Sequence, residues 1–206
     1  RLMLDKGIIK ASDMAAVVAS SRRCAMDNDK AQLAGQFSIS DLLEEPEYVS
    51  PLRKADCSPI SDGASAMIIC TRSKAEEWQV PFVRLSGIEH RIETHNLGMR
   101  DLTTSHSTRL AAEALSIHNS SLDIAELYAP FSHQQIILEQ ALELQAETEI
   151  NPSGGVLAGN LMMASGLSRV GEVFNRIVAG DVVRGLAHAT SGPCLQHNLL
   201  AILESA

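Results

Sequence analysis

"NPSGGVLAGNLMMASG", residues 151–166, places an Asn-Pro turn and a double glycine just before Asn160, and then an apolar run. Glycine pairs free the backbone for tight turns and close approaches, so the stretch reads as a junction at the head of a helix. That helix is expected over 161–178, with Met163, Leu167, Val170, Phe174 and Ile177 as core positions. Asn160 has two compatible readings. One is an N-cap, for which Asn is among the best residues. The other is a polar donor facing a ligand at a helix N-terminus, where unpaired N–H groups and a partial positive charge favour an anion.

Working outward, "IAELYA" (124–129) reads as a short strand and "HQQIILEQALEL" (133–144) as the helix after it. "PFVRLSGIEHRI" (81–92) is a strand interrupted at Gly87 by a bulge or a close backbone approach. A helix opened by Ser107 carries Leu110, Ala114 and Leu115. The ending "VVRGLAHATSGPCLQHNLLAILES" (182–205) suits two adjacent strands joined through Gly192 and Pro193. Nearer the start, "IIKASDMAAVVASSRRCAM" (8–26) reads as a helix. Ala66 to Thr71 form a nearly continuous apolar run expected of a strand covered on both faces. "TRSKAEEW" (71–78) follows as a short helix. Strands alternating with helices and an antiparallel finish predict an α/β domain, its mixed sheet covered by helices on both faces. The irregular first third and the regular remainder differ in texture, which puts a boundary near residue 79.

Composition narrows the function. With 206 residues, 45% of them hydrophobic, the chain can bury a substantial core. A formal charge of −8 with no basic cluster longer than a pair gives no footprint for nucleic acid or an anionic membrane. No apolar stretch approaches the roughly 20 residues that span a bilayer, the stretch "RLMLDKGIIKASD" (1–13) lacks the basic-then-apolar-then-small order of a secretory signal, and a cytoplasmic location is expected. Cys24, Cys57, Cys70 and Cys194 show neither CxxC pairing nor zinc-ligand spacing, so free thiols and no metal are expected. The chain begins with Arg rather than Met, which raises the expectation that it is part of something longer.

Four blocks, "CSPISDGASA" (57–66), "ELYAPFSHQQ" (126–135), "NPSGGVLAGNLMMASG" and "AHATSGPCLQHN" (187–198), stand in an order that resembles the second half of a thiolase. The resemblance is nearest to the sterol carrier protein X and acetyl-CoA acetyltransferase branch. It implies a thiolase-like fold, with 80–206 as the C-terminal thiolase domain. Residues 1–79 become a remnant of the N-terminal half, including the substrate-loop region and its last strand.

Residue by residue, the resemblance places Ser58 against the pantetheine of coenzyme A and Tyr128 at the family's oxyanion-hole position. Phe131 matches the motif's Phe, and Gly159 and Asn160 fall on the Gly-His of Gly-His-Pro. Cys194 falls near the second catalytic cysteine, in a loop whose register is ambiguous over 191–194, with His133 and His188 as nearby polar groups. The basic pairs Arg22-Arg23 and Arg53-Lys54 are candidates for the coenzyme's phosphates.

The implied activity is acyl transfer on acyl-CoA thioesters, by Claisen condensation or thiolysis, with coenzyme A thioester as substrate and no resident cofactor. Two departures stand out. The family's nucleophilic cysteine lies in the first half, absent here, and Asn160 replaces the usual base; an amide donates hydrogen bonds but takes no proton at neutral pH. A tyrosine-dependent aldolase and a degenerate acyl-CoA-binding subunit are the alternatives. Partners expected are acyl-CoA and either a second copy or a second polypeptide supplying the N-terminal half.

Each site residue also has a plain structural reading. Cys194 can be a small buried hydrophobe, Tyr128 a core aromatic, His133 a capping or solvated side chain, His188 a satisfied core histidine, and Ser58 a turn former before Pro59.

Overall fold

The computed structural model describes residues 1–119 and 121–206. In chain order the elements are α1 (Leu2–Asp5), α2 (Ala11–Cys24), α3 (Ile39–Glu44), β1 (Glu47–Val49), β2 (Leu52–Arg53), α4 (Arg72–Trp78) and β3 (Val83–Ile92). There follow α5 (His106–Ala114), β4 (Ile124–Glu126), α6 (Ser132–Leu142), β5 (Glu149–Ile150), α7 (Gly155–Ala158), α8 (Ser165–Ala179), β6 (Arg184–Ser191) and β7 (His197–Ser205).

Five strands form one mixed sheet in the order β3-β7-β6-β4-β5. The β3–β7 and β7–β6 pairs are antiparallel, and β4 runs parallel to both β6 and β5. Gly87 does mark a bulge, since the β3–β7 register shifts between Leu85 and Gly87. Side chains alternate across the sheet with period two. Leu186, Leu200 and Ile202 face a core shared with Ala111, Ile137 and Leu138 of α5 and α6. Ala187, Ala201 and Leu203 face the opposite way, onto Val173 and Ile177 of α8. Helices therefore cover both faces, as expected. No helix among the described residues is long and apolar enough to cross a membrane.

Several expectations are corrected. Ala66 to Thr71 make no strand; the segment is irregular and exposed, with Ile68 at 79% and Ile69 at 75%. A strand needs a backbone partner, and among the described residues none pairs with this one. The long helix begins at Ser165 rather than 161, which leaves Met163 98% exposed. Its buried positions are Ser165, Arg169, Val173 and Ile177, so the Leu167–Val170–Phe174 stripe lies beside the buried one rather than on it.

Within the double glycine, Gly155 lines a large cavity, while Gly154 makes a close approach inside the protein. Gly154 has φ +90°, and an added Cβ would stand 2.7 Å from Ala25 Cβ and 3.0 Å from the Ser21 carbonyl oxygen. Its backbone is pressed against the C-terminal end of α2. Of the basic pairs, Arg22 is buried and donates to the Leu157 carbonyl, and Arg53 donates to the Leu43 carbonyl.

Candidate active site

The C-terminal ends of parallel strands are where α/β sheets leave room for ligands, because successive connections diverge there. Tyr128 lies just past the end of β4, and the loop after β5 brings Asn160 to it. The Tyr128 hydroxyl donates to Asn160 Oδ1 at 3.4 Å, and Asn160 Nδ2 donates to Ser58 Oγ at 2.9 Å. Three of the four sequence blocks thus meet around one amide.

Asn160 is the hub. Its Oδ1 also accepts from the Met162 N–H at 3.1 Å and from the Ser165 hydroxyl at 2.9 Å. Its backbone N–H donates to Ser61 Oγ, and its carbonyl accepts from the Ser61 N–H. The α8 N-cap is Ala164, so Asn160 organises a turn ahead of the helix instead of capping it. Among the described residues Nδ2 donates to Ser58 alone, which leaves one amide hydrogen for another acceptor.

The segment carrying Ser58 is fastened locally. Cys57 bridges to Phe131, the Ser58 N–H donates to the Pro130 carbonyl, and the Ser132 hydroxyl donates to the buried Asp56 carboxylate at 2.6 Å. Phe131 stacks obliquely on His133, ring centroids 5.9 Å apart. Burial pushes the His133 imidazole below its usual range, and its Nδ1 has no hydrogen-bond partner. Gly159 and Ser61 stand on the wall of an open cavity of about 1650 Å³. Gly63, Ile68, Phe82, Leu167 and Phe174 line it too, whereas Tyr128, Ser58 and Asn160 are not on its wall.

The fourth block enters through His188, fully buried on β6. The Tyr128 backbone N–H donates to His188 Nδ1 at 3.3 Å, and His188 Nε2 pairs with Asn198 Oδ1 at 2.9 Å. An Nδ1 that accepts leaves the proton on Nε2, so both ring nitrogens are engaged. Burial lowers the His188 pKa to about 4, and the Asn198 bond opposes this. The ring is neutral at pH 7.

Cys194 is apart from this cluster. It is exposed in the β6–β7 turn with φ +54°, and its carbonyl accepts from Arg100. Its thiol makes no hydrogen bond to Tyr128, Asn160 or Ser58. Cys57 is nearer in the chain to Ser58, and burial, then Asp56, pushes its thiol up. Burial likewise raises Tyr128, against a smaller opposing effect of the Asn160 bond, so the phenol keeps its proton.

Behind the cluster, Glu126 and Arg169 form an ion pair of 2.6 Å, with both residues buried. The Glu126 carboxylate also accepts from the Ser153 N–H and hydroxyl, tying β4, α8 and the 151–155 loop together. Sequence reasoning passed over Glu126, Arg169, Ser153, Ser61, Ser165 and Asn198. A carboxylate inside the apolar run "IAELYA" was the one available signal. Among the described residues no group of three His, Cys, Asp or Glu side chains could hold a metal ion.

No family model matches the chain. It is 27% identical over 177 residues to an acetyl-CoA acetyltransferase of Methanocaldococcus jannaschii, covering 73% of this chain and 45% of that protein. To the acetyl-CoA acetyltransferase of Methanothermobacter thermautotrophicus it is 28% identical over 185 residues, 78% of this chain and 48% of the relative. To the benzoylsuccinyl-CoA thiolase subunit BbsB of Thauera aromatica it is 24% identical, over 96% of this chain and 59% of the relative. The chain spans about half the length of these curated relatives.

Among solved structures, an Ltp2–ChsH2(DUF35) aldolase superposes with TM-score 0.81 at 18% identity, covering 100% of this chain and 61% of its own. The acetyl-CoA acetyltransferase of Bacillus anthracis gives 0.75 at 15% identity, covering 99% of this chain and 58% of its own. Human mitochondrial 3-ketoacyl-CoA thiolase gives 0.71 at 14% identity, covering 99% and 58%. The chain therefore has a thiolase-like α/β fold, spanning part of a thiolase, and in sequence it resembles acetyl-CoA acetyltransferases.

Proposed function

We propose that this chain supplies the carbonyl-polarising wall of a site for acyl-CoA thioesters, and that the reaction is an aldol-type cleavage or formation of a carbon–carbon bond. The observation that carries this is the composition of the cluster. Tyr128, Asn160 and Ser58 converge as neutral hydrogen-bonding groups, no thiol is hydrogen-bonded to them, and the His188 ring behind Tyr128 has both nitrogens engaged. Such a set suits an oxyanion, which preorganised donors stabilise better than water does.

In the cleavage direction the substrate is a β-hydroxyacyl thioester. The β-hydroxyl gives up its proton to solvent water and becomes a carbonyl as the Cα–Cβ bond breaks. The bonding pair passes to the thioester enolate, held by the Asn160 N–H that Ser58 does not use and by the Tyr128 hydroxyl, whose single proton turns from Asn160 Oδ1 to the enolate oxygen. Protonation at Cα then completes the shorter thioester, so the proton lost from oxygen is balanced at carbon. Ser58 orients the Asn160 amide, and Gly159 keeps the adjoining wall low.

Acyl transfer through a thiolate is the second reading, favoured by the names of the sequence relatives. It needs a nucleophilic cysteine from another polypeptide, or from Cys194 after movement of its turn. Cleavage of a β-hydroxyacyl-CoA, followed by release of the carbonyl product, separates the two. Tyr128→Phe should lower turnover by about 10²- to 10⁴-fold, the usual worth of a positioned proton donor, while iodoacetamide treatment leaves it intact. Loss of activity on alkylation with Tyr128→Phe fully active would establish acyl transfer instead.

A partner polypeptide fits the same reading. Residues 60–71 carry exposed Ile60, Ile68 and Ile69 beside the open cavity and α8, an arrangement suited to completion by further sheet and helix from another chain. The division into a 1–79 remnant and an 80–206 domain draws its support from that unpaired segment. Residues 1–24 contribute otherwise, since Met3, Ile9 and Met14 are buried in the core beneath the sheet. Met14 therefore needs no outside cover.

A further inference from the structure

We propose that Asn198, acting through His188, is a positioning residue for Tyr128, and that a buried relay from Asn198 through Ser107 to Glu93 couples Tyr128 to the turn that carries Cys194. The proposal rests on the reading of Tyr128 as the group facing the substrate carbonyl.

The relay has one direction. The Tyr128 N–H donates to His188 Nδ1, and the Nε2 proton of His188 goes to Asn198 Oδ1. Asn198 Nδ2 donates to Ser107 Oγ at 2.7 Å and to the Leu195 carbonyl at 2.8 Å. The Ser107 hydroxyl donates onward to Glu93 Oε1 at 2.9 Å, joined there by the Ser107 N–H at 3.0 Å. Arg100 closes the chain, pairing with Glu93 at 3.0 Å while donating to the carbonyls of Pro193 and Cys194. Every donor thus meets an acceptor, and the series ends on a carboxylate, an arrangement in which successive bonds polarise one another.

Its placement argues for more than satisfied burial. His188, Asn198 and Ser107 are all buried between β6, β7 and α5, on the face otherwise filled by Leu186, Leu200, Ala111 and Ala112. Apolar residues in those positions would pack without hydrogen-bond constraints. The relay emerges at the point where β4 leaves the sheet: its last β6 partner is the pair Glu126–Ala187. Beyond it, two consecutive amides are held by side chains, Leu127 N–H by Asn151 Oδ1 at 2.6 Å and Tyr128 N–H by His188. Fixing both amides fixes the direction in which the Tyr128 side chain departs, and the Arg100 arm ties the Cys194 turn to the same frame.

The chain has two tyrosines, of which Tyr48 is 73% exposed. In a Tyr48→Phe background, fluorotyrosine labelling gives one ¹⁹F resonance, and ultraviolet titration of the phenol reports Tyr128 alone. Asn198→Leu keeps the branched side-chain shape, with some added bulk, and cuts the relay. It should shift the resonance and the Tyr128 titration and lower kcat by about ten- to a hundredfold, the scale of a misplaced group, with KM little changed. Asn198→Asp restores the acceptor for His188 and should recover part of the signal. If Asn198→Leu does not fold, Ser107→Ala removes the hydroxyl that accepts from Asn198 and donates to Glu93 while leaving both His188 bonds, and is read by the same signals.

A folded Asn198→Leu or Ser107→Ala protein with unchanged resonance and titration overturns the relay. Absence of turnover in the protein with Asn198 and Tyr128 intact instead counts against the proposed function, and the resonance still decides the relay.

Discussion

Sixty positions separate Tyr128 from His188 in the chain, and one hydrogen bond joins them. Complete burial, with the Tyr128 amide holding Nδ1 as an acceptor, explains why a histidine inside a strand takes no proton at neutral pH, and the Asn198 bond opposes this only in part. Burial also has a cost at lower pH. The folded-state pKa of about 4 lies below the ordinary 6.5, so between those values the unfolded chain binds the extra proton. Stability from this group is complete above pH 6.5 and is lost as pH falls toward 4, by about 3 kcal/mol at most. Urea midpoints measured across that window should fall as the medium is acidified, and in His188→Leu the slope between pH 6.5 and 4 should flatten. Glu93 and Glu204, both lowered from 4.5, begin to lose their contributions only as pH falls through 4.5, at the acid end of that window. A slope unaffected by the substitution would show that His188 is not the group responsible.

At the scale of elements, glycines decide how closely segments approach. Gly154 combines φ +90° with contact against α2, so Gly154→Ala meets both backbone strain and overlap with Ala25 and Ser21. The expected cost is about 2–4 kcal/mol. Gly180, which ends α8 at φ +84°, has nothing within 4 Å of an added Cβ. Gly180→Ala should cost only the conformational part, about 1–2 kcal/mol. Chemical denaturation of the two variants separates the terms; equal losses would mean that the approach of the 151–155 loop to α2 is looser than it stands. The same loop is gripped from its other side by Ser153 on Glu126, whose pairing with Arg169 makes α8 inseparable from β4. This polar core explains why one turn of α8 buries an arginine where an apolar stripe was expected.

For the whole molecule, the imbalance lies on the α8 side of the sheet. The face under α5 and α6 is closed by apolar packing, while the other opens into the large cavity and leaves Ile68, Ile69 and Ile88 more than half exposed. Contiguous apolar surface of this kind is a binding face or an aggregation liability. The isolated chain is therefore expected to self-associate or to bind a hydrophobic dye strongly, and a polypeptide that completes the α8 side should suppress both. Light scattering together with dye titration tests this. A monodisperse monomer that binds no dye would remove the support for a partner on that face.

Much of the architecture was legible because periodicity is a local property: strand and helix repeats stand in neighbouring residues. The strand–helix order, the bulge at Gly87 and the paired final strands needed no knowledge of contacts. The four blocks also indicated which loops to bring together, and three of them meet at Asn160. The tertiary structure alone decided the rest. An apolar run at 66–71 looks the same with or without a strand beside it, and only docking selects the α8 face that is buried, with Ser165 and Arg169 on it beside Val173 and Ile177. The proton on His188 was equally hidden, because a tautomer is set by the donors and acceptors that folding places against the ring, from residues 60 positions before it and 10 after.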